Sequence, residues 1–171
     1  MLRLLGEREF DMVYEIMEQS FPKEERRSYE GQRALLEREE YKLYGAVDCQ
    51  GRLIGFLAVW ELEGLLFIEH FAVTPEARNT GVGTQLLGLL RKEYRIPMCL
   101  EVELPVDDLT RRRIGFYERN GFALLPFPYE QPSLGEGRAP VPLRIMLAGG
   151  CGDHETFRKV RDQLYTVVYG V

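Results

Sequence analysis

Hydrophobic residues recur at two periods along this chain, and the period changes where one element gives way to the next. Leu2–Leu5 is apolar enough for a short first strand. Over Glu7–Gln19, Phe10, Val13, Tyr14 and Met17 fall three or four residues apart, which predicts an amphipathic helix. Pro22 stops it in the charged stretch SFPKEERRSYE. A second helix is expected from about Tyr29 to Glu39, with Leu35 and Leu36 on its apolar side. Three strand patterns follow: Lys42–Asp48, Arg52–Leu62 and Leu65–Val73. Cys49-Gln50-Gly51 and Glu63-Gly64 supply turn residues between them, so an antiparallel meander is expected.

The helical period returns over about Val82–Tyr94, and Met98–Leu104 reads as a strand that must cross back after that helix. A strand–helix–strand unit implies a locally parallel pair. Asp107–Asn120 is expected to be helical, capped by Asp108 or Thr110 and ended by Gly121. Phe122–Pro126 is a short strand, PFPYEQPSLGEGRAP a loop, and Val141–Ala148 the last strand. Phe157, Val160, Leu164 and Val167 space the tail His154–Tyr169 as a closing helix, which can cover the sheet of its own chain or dock on a second copy as a homodimer.

Composition narrows this little. With 171 residues, 45% apolar and 29% charged, the chain fits one soluble domain able to bury a core without staples. A net charge of −5, with no Lys/Arg-rich face, argues against a nucleic-acid partner. The three cysteines, Cys49, Cys99 and Cys151, have no CxxC spacing, so neither a metal site nor a disulfide framework is expected. The longest apolar run, around Ile54–Trp60, is far short of the roughly 20 residues a membrane helix needs, and the first residues lack the pattern of a signal peptide. A cytoplasmic protein without a membrane partner is the expectation.

Candidate chemistry gathers at Phe67–Leu90, FIEHFAVTPEARNTGVGTQLLGLL, where a buried strand passes through a loop with two glycines into a helix. Exposed N–H groups at a helix start favour an anion, so a phosphorylated cofactor is expected. The G-x-x-x-x-G-K-[ST] loop of nucleotide hydrolases is absent, and G-x-G-x-x-G lacks its third glycine. What is present is R-x-x-G-x-G, from Arg78 through Gly81 to Gly83, directly after HFAV. About 30 residues on, with a strand between, comes IGFYERNGF, Ile114–Phe122. The first resembles the Q/R-x-x-G-x-G/A motif of the GNAT superfamily of N-acetyltransferases, and the second its YEKxGF-like segment. The resemblance covers roughly Leu2–Leu147.

That resemblance implies an α/β (mixed α+β) fold: a central, mostly antiparallel sheet with a splayed parallel strand pair and flanking helices. It places the acetyltransferase domain over residues 1–150, with 151–171 a helical extension packed on it. It implies acetyl-CoA as donor, with the pyrophosphate of coenzyme A cupped by Arg78, Asn79, Thr80, Gly81, Val82, Gly83 and Thr84. The pantetheine arm would run along the backbone of Phe71, Ala72 and Val73. The family's frequent cofactor-contacting asparagine is replaced here by Thr110, which can still offer one bond.

Acetyl transfer to an amine needs a neutral nucleophile. An alkyl amine of pKa near 10.4 is about 0.04% neutral at pH 7, a cost of about 4.6 kcal/mol that a general base offsets. By the resemblance, Tyr117 is the general acid or the donor to the thioester sulfur. Glu69 is expected as the base: a carboxylate in an apolar strand either pairs with a cation or faces a wet cleft. By the period of two, its neighbour His70 should point the other way. Glu101, Glu103, His70 or a water chain are the alternatives. For the acceptor, a small-molecule or peptide amine, Phe21, Glu24, Glu25 and Arg26 of the early loop and Tyr129 and Gln131 of the late loop suit a cation by charge and aromatic faces. A second reading on the same fold is a non-catalytic acyl-CoA sensor or interaction module.

Overall fold

The computed structural model describes residues 2–171. The elements are β1 (Leu2–Leu5), α1 (Phe10–Ser20), α2 (Tyr29–Ala34), β2 (Tyr41–Val47), β3 (Leu53–Leu62), β4 (Leu65–Val73), α3 (Val82–Tyr94), β5 (Met98–Glu103), α4 (Asp108–Arg119), β6 (Ala123–Leu124), β7 (Tyr129–Gln131), β8 (Val141–Ala148) and α5 (His154–Gln163), which continues as a π-helical turn, Leu164–Tyr169. The strands form an open sheet in the order β1-β2-β3-β4-β5-β8-β6, with β7 also on β8. It is mostly antiparallel, and β4 and β5 are its parallel pair, as expected. Among the described residues no helix is long and apolar enough to cross a membrane.

The chain divides into two compact units, and the division falls inside β4, between Phe67 and Ile68. The first unit holds residues up to Glu61 and Ile68–Arg95. Here β1 pairs antiparallel with β2 and β2 with β3. The β2–β3 turn follows from Asp48, whose Oδ1 accepts from the N–H groups of Gln50 (2.8 Å) and Arg52 (2.9 Å). The unit's core is the uninterrupted run Phe56–Trp60 of β3 with Phe10, Val13, Met17 and Leu43, all buried. Tyr94 closes α3 onto the sheet, meeting the Tyr44 hydroxyl at 2.7 Å and donating to Glu61 at 2.7 Å.

The second unit holds Leu62–Phe67 and Ile96–Val171. The Leu66 N–H donates to the Pro97 carbonyl at 2.9 Å. β8 is its centre, antiparallel to β5, β6 and β7. The apolar stripe of α5 and its π-helical turn is used within this chain: Phe157, Val160 and Leu164 are buried as spaced, Val168 is buried in place of the expected Val167 because the π turn shifts the register, and the Phe157 ring lies 5.1 Å from that of Phe127.

Four expectations change. The second helix ends at Ala34 and continues only as a 3₁₀ turn, Leu35–Glu37. The late loop contains a strand, β7, stabilised by pairing with β8. The cap of α4 is Asp107, whose carboxylate accepts from the Thr110 N–H at 2.8 Å. The tail ends in a π-helical turn.

Candidate functional site

In the first unit, the end of β4 and the start of α3 form the candidate anion cradle. The Thr74 N–H donates to the Ile54 carbonyl of β3 at 2.9 Å. By strand alternation the backbone groups of Ala72 face β3 as well, and those of Phe71 and Val73 face the opposite edge. The approach to β3 is close: a Cβ on Gly55 would stand 2.9 Å from the Ala72 carbonyl oxygen, so only glycine fits there. Of the three residues expected along a pantetheine arm, Phe71 and Val73 therefore turn their backbone groups away from β3.

After β4, Pro75–Ala77 forms a 3₁₀ turn. Asn79 (φ 60°) and Gly81 (φ 85°) are both left-handed, with the Thr80 hydroxyl fastened to the Ala77 carbonyl at 2.6 Å between them. Gly81 is the N-cap of α3 and has no side chain to cap it. The first intrahelical bond is Gln85 N–H to Gly81 C=O at 3.0 Å. The N–H groups of Gly81, Val82, Gly83 and Thr84 thus precede the hydrogen-bond ladder, where the helix dipole favours an anion. Gly83 is the second residue of the helix, so its hydrogen in place of a side chain keeps that face open. Arg78 is exposed, its Nε on the Val73 carbonyl at 3.3 Å. These residues fit a pyrophosphate.

The same strand carries the expected base, and its surroundings are specific. Glu69 Oε1 accepts from Arg27 Nη1 at 2.6 Å and Oε2 from Trp60 Nε1 at 2.9 Å. The Glu69 side chain is 3% exposed and that of Arg27 11%. Burial pushes the Glu69 carboxyl up, but the Arg27 guanidinium, with His70 and the Trp60 indole, outweighs it and holds the group below the ordinary carboxylate value. The carboxylate is thus paired with a cation, one of the two expected outcomes, and is enclosed.

His70 does not diverge from Glu69 as the period of two predicted. Its Nδ1 lies 3.8 Å from Glu69 Oε2. Nε2 sits 2.7 Å from the Glu25 carbonyl, which can only accept, so Nε2 carries the proton. Nδ1 has no hydrogen-bond partner. Burial pushes the imidazole pKa down, and Glu69 does not reverse this. The early loop is drawn in with it. Lys23–Glu25 is a 3₁₀ turn, Phe21 packs edge-on against His70 at 4.8 Å, and Arg26 donates to the Phe21 carbonyl (3.3 Å) and the Tyr14 hydroxyl (3.2 Å).

In the second unit, Tyr117 lies in the last turn of α4. The Phe122 N–H bonds the Tyr117 carbonyl (3.1 Å) and the Gly121 N–H bonds the Glu118 carbonyl (3.0 Å), with Gly121 at φ 86°. This is a Schellman end, so the N-G-F of the motif is a helix stop that also fixes the tyrosine's backbone. The Tyr117 ring is buried between Phe116 and Phe122, and burial pushes its pKa up to about 12, partly countered by Arg113. It is protonated at neutral pH, as a proton donor must be.

Thr110 is occupied otherwise than expected. Its hydroxyl donates to the Asp107 carbonyl (3.1 Å) and accepts from the Asp107 N–H (3.2 Å), and the residue is buried. A hydroxyl has one proton, and the cap uses it. Glu103 pairs with Arg113 at 2.9 Å. Glu101 accepts from the hydroxyls of Tyr129 and Tyr169, the latter at 2.7 and 2.9 Å from its two oxygens. Gln131, beside Tyr129 in β7, is buried. Tyr169 at Glu101, Arg27 at Glu69 and Asp107 at Thr110 were missed by sequence reasoning. Only Asp107 had a local signal, an N-cap residue type three before Thr110.

A strand edge leading into an uncapped, glycine-opened helix, followed one strand later by a helix ending in tyrosine and N-G-F, is the plan of the acyl-CoA-dependent acetyltransferases. A family profile described as "Acetyltransferase (GNAT) family" matches residues 10–122, and the chain belongs to this family. It is 33% identical over 112 residues to "Putative acetyltransferase YjbC" of Bacillus subtilis (strain 168); that match takes in 64% of this chain and 55% of the relative, so it spans about half of that protein. A solved structure described as "Putative acetyltransferase from GNAT family from Bacteroides thetaiotaomicron" is 34% identical, with a TM-score of 0.91 over 100% of this chain and 99% of that one. An aminoglycoside 6′-N-acetyltransferase complexed with coenzyme A shares the fold at 18% identity and a TM-score of 0.67, covering 86% of this chain and 95% of that one.

Proposed function

We propose that this protein is an acetyl-CoA-dependent N-acetyltransferase that passes an acetyl group directly to a primary amine in a ternary complex. The observation that carries this is the cradle at Asn79–Thr84: two left-handed residues and four N–H groups ahead of the helical ladder, one short turn after β4. Gly81–Thr84 would hold the pyrophosphate and Arg78 would add a charge to it. The edge at Phe71 and Val73 would hold the pantetheine arm. Acetyl-CoA supplies the activated acetyl group as a thioester. Tyr117, protonated across the neutral range, would donate to the departing sulfur. The acceptor class fits the acidic and aromatic residues of the early loop. Fold neighbours described as a spermidine N-acetyltransferase and an aminoglycoside 6′-N-acetyltransferase act on cationic amines of this kind.

The test is calorimetry with acetyl-CoA, followed by thiol release with spermidine, an aminoglycoside and an alanyl peptide as acceptors. Binding of acetyl-CoA and turnover on at least one amine are expected. Binding without turnover on any amine supports the acyl-CoA sensor instead, and no binding removes both readings.

A further inference from the structure

The segment joining α1 to α2 is fastened more heavily than a charged surface loop requires. Arg26 closes it on the Phe21 carbonyl, and the Tyr14 hydroxyl of α1 donates to the Arg27 carbonyl at 3.0 Å. Two consecutive residues of β4 then hold it from the sheet side. Glu69 takes the Arg27 guanidinium at 2.6 Å, and His70 takes the Glu25 carbonyl at 2.7 Å while its ring receives the edge of Phe21. The Arg27 guanidinium carbon also lies 6.0 Å from the centre of the Trp60 ring, whose N–H goes to the same carboxylate.

Stability alone is a poor reason for such a cluster, because apolar residues of similar volume commonly do as well as a buried ion pair. What the pair does fix is position. One carboxylate oxygen accepts from Arg27 and the other from Trp60, so the carboxylate has a single orientation, and with it the backbone at Arg27. The place held is also particular. If the cofactor lies in the Asn79–Thr84 cradle, its arm returns along Val73 and Phe71, and its acyl end lies toward Glu69 and His70.

We propose that Arg27, Glu69 and His70 are positioning residues: they dock the Phe21–Arg27 segment on β4 and so hold Phe21, Glu24 and Glu25 as one wall of the site for a cationic alkyl amine. This rests on the acetyltransferase reading above. Glu69 then acts through the loop and does not itself take the amine's proton.

The experiment uses the full chain as wild type, Glu69→Gln, Arg27→Lys and the double variant. Glutamine keeps the size of glutamate but has one oxygen, so either Arg27 or Trp60 faces an NH₂ group. Lysine keeps the charge. Hydrogen exchange reads the loop directly, and steady-state kinetics with acetyl-CoA and spermidine, an aminoglycoside and an alanyl peptide read the acceptor. Amides of residues 23–28 should exchange about tenfold faster in Glu69→Gln, with those of Val82–Tyr94 unchanged. Acceptor KM should rise about tenfold in Glu69→Gln while kcat and acetyl-CoA KM stay within about threefold; Arg27→Lys, which keeps the charge, should show a smaller rise, and the double variant should be no worse than Glu69→Gln, as residues acting through one contact are not additive. A fall in kcat of about 10²-fold or more at unchanged KM, with loss of the acidic limb of the pH profile, marks a general base and overturns the proposal. Turnover with unchanged exchange overturns the anchor alone. No wild-type turnover on any amine overturns the acetyltransferase reading and the acceptor role with it, and the exchange result then decides only whether the anchor exists.

Discussion

Replacing Arg27 by methionine removes the charge opposite Glu69 while keeping a long apolar stem, and the structure sets the size of the effect. Opposite charges about 4 Å apart attract by about 4 kcal/mol at an effective dielectric constant of about 20. The side chains are 11% and 3% exposed, so water does little to replace the lost partner. Removing one member of a buried pair costs about 3–5 kcal/mol, because the other charge is left uncompensated. At about 3 kcal/mol the melting temperature of a chain this long falls by about 6–12 °C.

The loss should also depend on pH, in a known direction. In the wild-type protein the Glu69 carboxyl sits below its ordinary value of 4.5, so its contribution is present above that value and is lost as pH falls through the folded pKa. Without Arg27 the desolvation of Glu69 loses its main opposing charge, so the carboxyl takes up its proton at a higher pH than in the wild-type protein. The unfolded chains bind protons alike at these residues, so they cancel in the comparison. The variant's deficit must therefore narrow as pH falls from the alkaline toward the acid side, by up to about 1.4 kcal/mol per unit. Calorimetric melts of the two proteins across that range measure it. A deficit within the about 0.5 kcal/mol of an ordinary surface substitution, or one constant with pH, refutes Arg27 as the counter-charge of an ionised Glu69.

Gly83→Glu puts a side chain and a negative charge among the N–H groups that open α3. Coenzyme A binding by calorimetry should be lost with the melting temperature held, and unchanged affinity would remove the cradle from the mechanism. Tyr117→Phe should lower kcat by about 10²-fold with little change in acetyl-CoA KM, measured by thiol release; equal kcat would show that the phenol donates no proton that matters. Asp107→Ala removes the cap of α4 and should cost about 1 kcal/mol in urea denaturation, and no change would mean the capping bond at Thr110 contributes nothing net.

The elements with strong local patterning are legible in the sequence. Leu65–Val73 and Val141–Ala148 have the expected bounds, and α3 runs over Val82–Tyr94 as its spacing predicts. The elements that depend on distant partners were not. Tyr129–Gln131 sits in a Pro/Gly-rich stretch and becomes a strand because β8 offers an edge, a contact no local window contains. Arg27 and Glu69 are 42 residues apart, so no local window shows the pairing that the fold makes between them. Thr110 stands at a family position for a cofactor contact, but that position does not show that its one hydroxyl proton goes to the Asp107 carbonyl three residues earlier, leaving it only as an acceptor.

The difference between the two halves of the candidate site has a physical cause in β4 itself. A cofactor held by backbone needs only an outward strand edge and a helix start clear of side chains. Those demands fall on glycine and on spacing, and Gly81 and Gly83 show both in the sequence. The loop is held instead by the side chains of residues 69 and 70 on the same strand, and that demand can be met by many residue pairs. One strand can therefore keep its backbone for a constant ligand while its side chains reposition a variable wall. By this division, substitutions at Glu69 and Arg27 should alter the choice of amine while leaving coenzyme A affinity as it is, because the groups proposed to hold the cofactor are not the groups being exchanged.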